Sequence, residues 1–258
     1  MRIVTWNINS IRSRLDRALA WCATNEPDVL CLQETKCETG AFPAQQFADL
    51  GYTCAHHGAP GGYNGVAIVS RVGLVDVEAG FPGEQPPPFN EPRLIAATCG
   101  EVRVLNIYGP HGRDLSDPHY QFKLLWFKRL ELHLLEEGIM DTASVIVGDF
   151  NIAPASADTY PKRNDQRRTH TSDRERVAFA ELADLGFTDM LRHRHPDATD
   201  LFTYWSYKSK LGNNHGMRID HILASAPMVD RSTGCWVDEP ERHADHASDH
   251  APVVLDLS

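Results

Sequence analysis

Short apolar runs that stop at an acidic, amide or phenolic residue recur along the chain, and these polar residues could do chemistry. Continuous runs of β-branched and apolar residues are typical of buried strands. If several such strands end at one edge of the fold, their polar side chains gather there. The runs are residues 3–6 before Asn7, 29–32 before Gln33 and Glu34, 104–107 before Tyr108, 145–148 before Asp149, and 217–219 before Asp220.

A cluster of carboxylates predicts a bound cation, because like charges otherwise repel and raise each other's pKa. Oxygen ligands suit Mg²⁺ or Mn²⁺, whereas zinc would want more His or Cys. The segment Gly148-Asp149-Phe150-Asn151 is the most informative, since its spacing puts Asp149 and Asn151 on one side of an extended chain. One could act as a base and the other as a hydrogen-bond donor. Taken singly, an Asp after a strand is more often a turn former or helix cap.

Helices are predicted between these strands, where the apolar residues change to helical spacing. Residues 11–21 and 120–135 fit this spacing best. Ser172, with Glu175 three residues later, predicts a capping box at the start of another helix.

A proline-rich segment and strands that follow one another along the chain indicate the fold class. Residues 81–92 contain five prolines and predict a surface loop. Strands that follow one another, at residues 202–205 and 219–224, favour sheets packed face to face with helices outside. We therefore predict an α/β fold in layers, formed by residues 1–258 as one domain.

The bulk properties restrict the class of protein. The chain has 258 residues and a net charge of −10, which excludes a protein that coats nucleic acid through overall positive potential. Any DNA contact must be local, and Lys162-Arg163 with Arg167-Arg168 is one candidate, although a solvated loop explains it equally well. No apolar run is long enough for a signal peptide or a membrane span, so we expect a cytoplasmic protein. Six cysteines without a CxxC pair predict reduced thiols.

Seven short motifs resemble those of the exonuclease III and abasic-site (AP) endonuclease family, within the wider endonuclease/exonuclease/phosphatase superfamily, and they occur in family order. Leu-Gln-Glu-Thr-Lys is specific to the DNA-repair branch, whereas Ser-Asp-His is shared by the superfamily. The motifs are residues 5–9 (TWNIN), 32–36 (LQETK), 63–67 (YNGVA), 106–110 (NIYGP), 148–151 (GDFN), 218–220 (RID) and 248–252 (SDHAP).

The resemblance implies a four-layer α/β/β/α sandwich whose active site lies at one edge, with DNA across it. It implies that Glu34 holds Mg²⁺ (or Mn²⁺), supported by Asn7 and Asp249. Phosphodiester hydrolysis builds charge on the phosphate oxygens, which a metal ion, an imidazolium and an amide donor can stabilise. By family pattern the catalytic residues are Tyr108, Asp149, Asn151, Asp220 and His250, and the DNA-binding residues are Lys36, Asn64, Arg93, Tyr204, Trp205 and Lys208.

Three segments leave alternatives open. Residues 202–207, followed by Lys208, combine aromatic rings with a cation and could stack on DNA or alternate into the core, and either Tyr204 or Trp205 could face DNA. The His-rich residues 242–250 could bind a metal, but spaced histidines more often decorate a loop. His170-Thr171-Ser172 stands where relatives usually carry an aromatic, which favours exonuclease activity or 3′-end cleaning over abasic-site recognition.

We therefore predict a magnesium-dependent DNA repair nuclease that acts in base excision repair. Its substrate would be double-stranded DNA, damaged or with a 3′ end, and we expect a monomer with no membrane partner. One rival is a phosphoesterase for lipid or inositol phosphates, which the motif at residues 32–36 disfavours. The other is a non-catalytic DNA-binding module, which would be expected to lack one or more of the acids, and none is missing.

Overall fold

The computed structural model describes residues 1–160, 168–208 and 213–258. Their strands are β1 (Arg2–Asn7), β2 (Val29–Gln33), β3 (Thr53–His57), β4 (Val66–Ser70), β5 (Val75–Ala79), β6 (Leu94–Cys99), β7 (Val102–Tyr108), β8 (Ser144–Asp149), β9 (Thr188–Asp189), β10 (Asp220–Ala224), β11 (Ser232–Val237) and β12 (Val253–Leu257). Their α-helices are α1 (Ile11–Asn25), α2 (Ala44–Ala48), α3 (Pro118–Glu137), α4 (Asp173–Asp184), α5 (Met190–Arg194) and α6 (Ala226–Arg231).

The strands form two mixed sheets of six strands each. The first sheet has the order β11-β12-β1-β2-β4-β3, and the second has the order β5-β6-β7-β8-β10-β9. In the first sheet β1 and β2 run parallel, and in the second β7 and β8 run parallel. The carboxyl ends of these four strands carry Asn7, Gln33, Tyr108 and Asp149.

The two sheets pack face to face, and the helices cover their outer faces. Alternate residues of each strand point inward and outward, since the side-chain period of a strand is two. One buried cluster lies between the sheets and contains Ile3, Val29, Ile68, Val104, Val147 and Ile222. The outward residues Leu30 and Leu32 pack with Ile11 and Trp21 of α1, and Leu105 and Ile146 pack with Trp126, Leu130 and Phe179 of α3 and α4. This confirms the predicted four-layer α/β/β/α sandwich.

The predicted helices are present, with small changes at their ends. The first extends from Ile11 to Asn25, past the predicted end, and stops where Glu26 adopts a left-handed backbone with φ of 47°. The predicted capping box is confirmed, because Ser172 Oγ accepts from the Glu175 amide at 3.4 Å and Glu175 Oε2 accepts from the Ser172 amide at 3.1 Å.

Two strand predictions were wrong in ways that matter for the site. Residues 202–205 do not form a strand, because only Tyr204 pairs, with Met217 on one side and His250 on the other. Asp220 begins β10 instead of ending a strand. Since β10 runs antiparallel to β8, Asp220 pairs with Asp149 and still reaches the same edge.

The predicted loop at residues 81–92 is confirmed, as it contains only bends and turns.

Within the described residues, no helix combines the length and the apolar character needed to span a membrane. The six cysteines all lie in described segments and form no disulfide, and five of them are buried.

Candidate active site

One amide group joins carboxylates from the two sheets. Nδ2 of Asn7, the last residue of β1, donates to Oε1 of Glu34 at 2.9 Å and to Oδ2 of Asp149 at 2.9 Å. Because β1 and β2 are parallel, their carboxyl ends bring Asn7 and Glu34 together, and the packing of the sheets supplies Asp149. The strand-end prediction therefore located a real cluster.

Glu34 is held from three sides. Besides the amide of Asn7, the hydroxyl of Tyr108 donates to its Oε1 at 3.0 Å, and Nζ of Lys36 lies 2.8 Å from its Oε2. Burial and the nearby Glu34 carboxylate both raise the pKa of Tyr108 well above its ordinary value. The phenol therefore stays protonated and donates its hydrogen to Glu34.

The side chains of Asp149 and Asn151 come together, with Asn151 Nδ2 at 3.3 Å from Asp149 Oδ2, but through a turn with a left-handed Asn151 and not along the predicted extended segment. The backbone amide of Asn151 donates to Oδ1 of Asp149 at 2.8 Å, and its Nδ2 donates to the carbonyl of Gly109 at 3.0 Å. Gly148 has a φ of 145°, and a side chain there would meet the carbonyl oxygen of Ile107. The glycine of the motif is thus required by the close approach of β7.

Asp220 and His250 form a buried pair. Oδ2 of Asp220 lies 2.8 Å from Nδ1 of His250, and Nε2 of His250 lies 3.9 Å from Oδ2 of Asp149. The imidazole thus stands between two carboxylates. The ring of Tyr204 lies 4.9 Å from the His250 ring and covers it from one side.

Burial and neighbouring charges set the ionisation of these groups. Burial, and then the nearby Asp220, raise the pKa of Asp149 to about 7. Burial by itself would lower the pKa of His250, but Asp220 and Asp149 outweigh it and raise that pKa to about 10. Burial also opposes ionisation of Glu34, yet Lys36 and a neighbouring amide hold its pKa below the ordinary value. At neutral pH, Glu34 is therefore an anion, His250 is a cation, and Asp149 can exchange a proton.

The acidic residues present fit a hard divalent cation. Carboxylate oxygens of Asp149 and Asp220 lie within 4.8 Å of each other and of the His250 ring, and Glu34 adjoins them through Asn7. Among the described residues, Oδ1 of Asp220 is buried without a hydrogen-bond partner. Clustered carboxylate oxygens of this kind are the ligands that Mg²⁺ or Mn²⁺ prefers.

Asp249, predicted as a metal ligand, lies beside this cluster and is bound by another amide. Nδ2 of Asn9 donates to Oδ1 of Asp249 at 2.9 Å, and Oδ1 of Asn9 accepts from Nζ of Lys36 at 2.5 Å. Asn9 therefore links Asp249 to Lys36, the side chain that pairs with Glu34. We did not single out Asn9 from the sequence, although the alternation of Asn7 and Asn9 in one motif was the available signal.

Three predicted DNA-binding residues line a cavity of about 410 Å³ beside Glu34. They are Lys36, Asn64 and Arg93. Lys36 is partly exposed, whereas Arg93 is buried and pairs with Glu91 at 2.6 Å. Asn64 donates to the same carboxylate oxygen at 3.0 Å. Glu91 was not predicted from the sequence, because its contacts with Asn64 and Arg93 depend on the tertiary structure.

The aromatic segment places its residues in different environments. Tyr204 lines a cavity of about 320 Å³ together with His111, Arg113 and His170. Trp205 is only 4% exposed, its indole nitrogen donates to Asn214 at 2.9 Å, and Arg242 lies over its ring. Tyr204 thus faces the site and Trp205 packs inside, while Lys208 is exposed.

The remaining candidates have separate outcomes. Arg168 lines the same cavity as Tyr204, whereas Lys162, Arg163 and Arg167 lie outside the described residues. From the His-rich segment only His250 joins a potential metal-binding group in the described part of the chain.

Comparison with known proteins agrees with this geometry. A model of the endonuclease/exonuclease/phosphatase family matches residues 4–250. The sequence is 31% identical to exodeoxyribonuclease III of Haemophilus influenzae, over 98% of each chain. An AP endonuclease from Archaeoglobus fulgidus is similar in structure, with a TM-score of 0.93, 36% identity and coverage of 100% of this chain and 99% of that one. So is a 3′ phosphatase (NExo) from Neisseria bound to a product DNA hairpin, with a TM-score of 0.94, 39% identity and coverage of 100% and 99%.

The match to the family model spans nearly the whole chain, and the similarity to exodeoxyribonuclease III extends over almost the full length of both proteins. The two solved structures match this fold over 100% of the chain at more than 25% identity. The chain therefore belongs to the endonuclease/exonuclease/phosphatase family, and within it to the group of exodeoxyribonuclease III and the AP endonucleases.

Proposed function

We propose that this protein is a DNA repair nuclease that hydrolyses phosphodiester bonds with a divalent metal ion. The observation that carries the proposal is the contact of one Asn7 amide with both Glu34 and Asp149, next to the Asp220–His250 pair. In the proposal, Glu34 is the metal-binding acid, Asp149 is the base and His250 is the cation of this group. Each of these three can lower the barrier to phosphodiester hydrolysis.

Each catalytic residue has a part in this proposal. Asp149 takes a proton from the attacking water, which its pKa of about 7 suits, and the Asn151 amide holds that water and the phosphate. The imidazolium of His250, kept protonated by Asp220, stabilises the charge that grows on the phosphate oxygens. Tyr108 orients Glu34 and contacts the phosphate.

Glu34 would hold the metal ion, with Asn7 and Asp249 as supporting residues. When bound there, Mg²⁺ or Mn²⁺ supplies positive charge to the phosphate oxygens. This also accounts for phosphate binding by a chain with a net charge of −10, because the cation and a few local donors replace a basic surface. We expect Lys36, Asn64, Arg93, Tyr204 and Lys208 to contact DNA beside it.

DNA is the proposed substrate because the relatives named above are DNA enzymes, one of them bound to a DNA hairpin. Those relatives include a 3′ phosphatase as well as an AP endonuclease. His170 lies in the cavity with Tyr204, at the place where the family usually carries an aromatic. That departure favours processing of 3′ ends, and the similarity to an AP endonuclease supports cleavage at abasic sites, so we propose both activities on duplex DNA.

We further propose that residues 1–258 form one domain that works as a monomer in the cytoplasm. The rival substrate class, lipid or inositol phosphates, has weaker support, because the motif at residues 32–36 resembles the DNA-repair branch. The second rival, a non-catalytic DNA-binding module, is disfavoured by the contacts that Glu34, Asp149, Asp220 and His250 make with one another or through Asn7.

An activity panel tests the proposal. Purified protein is given end-labelled duplexes that carry an abasic site, a 3′-phosphate, a nick or a blunt end, with an inositol phosphate alongside. We expect cleavage of one or more DNA substrates with Mg²⁺ or Mn²⁺ and none with EDTA. Release of phosphate from the inositol compound alone would support the rival class, and binding without cleavage would support the non-catalytic module.

A further inference from the structure

A buried ion pair lies directly behind the active site and takes no part in the proton transfers proposed above. Nζ of Lys123 on α3 lies 2.5 Å from Oε1 of Glu175 on α4, and both side chains have no exposed surface. The same Nζ donates to the carbonyl of Asn151 at 2.6 Å. The charge on Lys123 therefore reaches the backbone of a proposed catalytic residue.

Net stability is a weak explanation for this pair. Both ions lose their hydration in the interior, and the attraction between them often does no more than offset that loss. Burial favours the neutral form of Lys123 and holds its pKa below the ordinary value, and the attraction of Glu175 opposes that shift. A charged pair at this place is better explained by the geometry that it imposes.

The backbone of Asn151 needs such a constraint. Its φ is 54°, in the left-handed region that asparagine tolerates but does not favour. The conformation directs its amide hydrogen to Oδ1 of Asp149 at 2.8 Å and its side chain to the carbonyl of Gly109. Without the ammonium group, the Asn151 carbonyl loses its buried donor and the peptide is less restrained.

The other end of the pair holds a second segment of the site. Oε1 of Glu175 accepts from the His170 amide at 2.9 Å and from the Thr169 hydroxyl at 2.9 Å, and its Oε2 accepts from the Ser172 amide at 3.1 Å. Thr169 and His170 line the cavity that also contains Tyr204. Lys123 and Glu175 thus connect Asn151 to the wall of that cavity through two helices.

We propose that Lys123 is a positioning residue for hydrolysis. Its ammonium group, held by Glu175, fixes the backbone carbonyl of Asn151. It thereby orients the side-chain amide of Asn151 and the carboxylate of Asp149 towards the substrate. This inference rests on the proposed function. Displacements of about 1 Å in such groups can cost on the order of 10²-fold in rate.

The test compares two ion pairs whose lysines both lie on α3. The variant Lys123→Met/Glu175→Gln removes both buried charges together and so avoids leaving one of them alone. The matched control is Lys128→Met/Glu131→Gln, which makes the same changes in an ion pair of 2.6 Å whose lysine is exposed. We expect kcat on duplex DNA to fall about tenfold or more in the first variant, with KM within about threefold of the wild type. The control should keep both values.

A spectroscopic measurement separates positioning from loss of folding. In protein labelled with ¹⁵N-asparagine, the resonances of Asn151 are identified by their loss in Asn151→Ala. We expect them to shift or broaden in Lys123→Met/Glu175→Gln and to stay in place in the control. A folded double variant with wild-type kcat and unchanged Asn151 resonances would overturn the inference.

Two further outcomes remain decisive. If the double variant does not fold, Lys123→Arg is measured, because it keeps a cation beside Glu175 but replaces the ammonium that contacts the Asn151 carbonyl. We then expect kcat to fall about threefold with shifted Asn151 resonances, and an unchanged kcat with unchanged resonances contradicts the inference. If the wild type cleaves no DNA, the proposed function fails, while the Asn151 resonances still test whether Lys123 positions this residue.

Discussion

The imidazole of His250 stands between two carboxylates, with Nδ1 at 2.8 Å from Asp220 and Nε2 at 3.9 Å from Asp149. One carboxylate fixes the ring and its charge, and the other belongs to the proposed base. The two aspartates are paired residues of the adjacent antiparallel strands β8 and β10. The sheet thus sets the separation of the two carboxylates that face His250.

Asp220→Asn should lower kcat/KM by about 10²-fold and change its pH dependence. The raised pKa of His250 means that the imidazolium is present at low pH and is lost as the pH rises through about 10. Without the Asp220 charge, that loss should move towards the ordinary value of about 6.5. The pH profile of kcat/KM measures the shift.

Asp256→Asn is the control for this change, because Asp256 is also ion-paired, to Arg2, but lies partly exposed at the surface. It should leave the pH profile as in the wild type. A basic limb that stays in place in Asp220→Asn would show that Asp220 does not hold the charge of His250.

Asp149→Asn should abolish most of the activity, by about 10²-fold or more, because the proposed base is lost. It should not lower the melting temperature. Burial raises the pKa of Asp149 to about 7, so in metal-free protein the fold disfavours the carboxylate, and this group's contribution to stability falls as the pH rises from about 4 to 7.

Thermal melting in EDTA at pH 5 and pH 8 checks the second part of this prediction. The melting temperature of Asp149→Asn relative to the wild type should be higher at pH 8 than at pH 5. A variant that keeps turnover within a few-fold would remove Asp149 from the base role, whatever its stability.

Glu34→Gln should weaken the binding of the metal ion more than the binding of DNA. We expect the Mg²⁺ concentration for half-maximal activity to rise about tenfold or more, because an anionic ligand is lost. Affinity for DNA in EDTA should change little. Glu131→Gln, at a partly buried residue of α3 that pairs with the exposed Lys128, serves as the control and should keep the Mg²⁺ requirement. An unchanged Mg²⁺ titration in Glu34→Gln would place the metal elsewhere.

Tyr204 and Trp205 should respond in opposite ways to replacement by alanine. Tyr204→Ala should raise KM for DNA, since stacking of a base on an aromatic ring contributes about 1–3 kcal/mol. Trp205→Ala should mainly destabilise the fold, by about 3–5 kcal/mol, because this side chain is 4% exposed and packs under Arg242. Binding to DNA and chemical denaturation of both variants distinguish the two effects, and the reverse assignment would contradict the orientation of this segment.

The sequence was sufficient to predict the fold class and to group most residues of the candidate site, for a physical reason. The strands carrying Asn7, Gln33, Tyr108 and Asp149 are continuous apolar runs, and such runs mark buried strands without any knowledge of tertiary structure. Parallel strands end at the same edge, so their terminal side chains could be grouped in advance. The capping box at Ser172 and Glu175 is likewise a local pattern.

The rest depends on contacts between residues far apart in the chain. Asp220 is the first residue of β10, and only the antiparallel pairing of β10 with β8 shows that it meets Asp149. Lys123 looks like an ordinary charge in a helix, yet it has no exposed surface and contacts Asn151. The backbone pairing of Tyr204 with His250 brings Tyr204, and not Trp205, to face the candidate site. Hydrophobic periodicity does not encode any of these.

The most direct test of hydrolysis at this site follows oxygen from water into the product. A duplex DNA substrate is cleaved in H₂¹⁸O with Mg²⁺ or Mn²⁺ by wild-type protein and by Asp149→Asn, and the released phosphate ends are analysed by mass spectrometry. We predict one ¹⁸O atom for each bond cleaved by the wild type, and a loss of about 10²-fold or more in the rate for the variant. Absence of cleavage with either metal, or phosphate ends without ¹⁸O, would contradict the account.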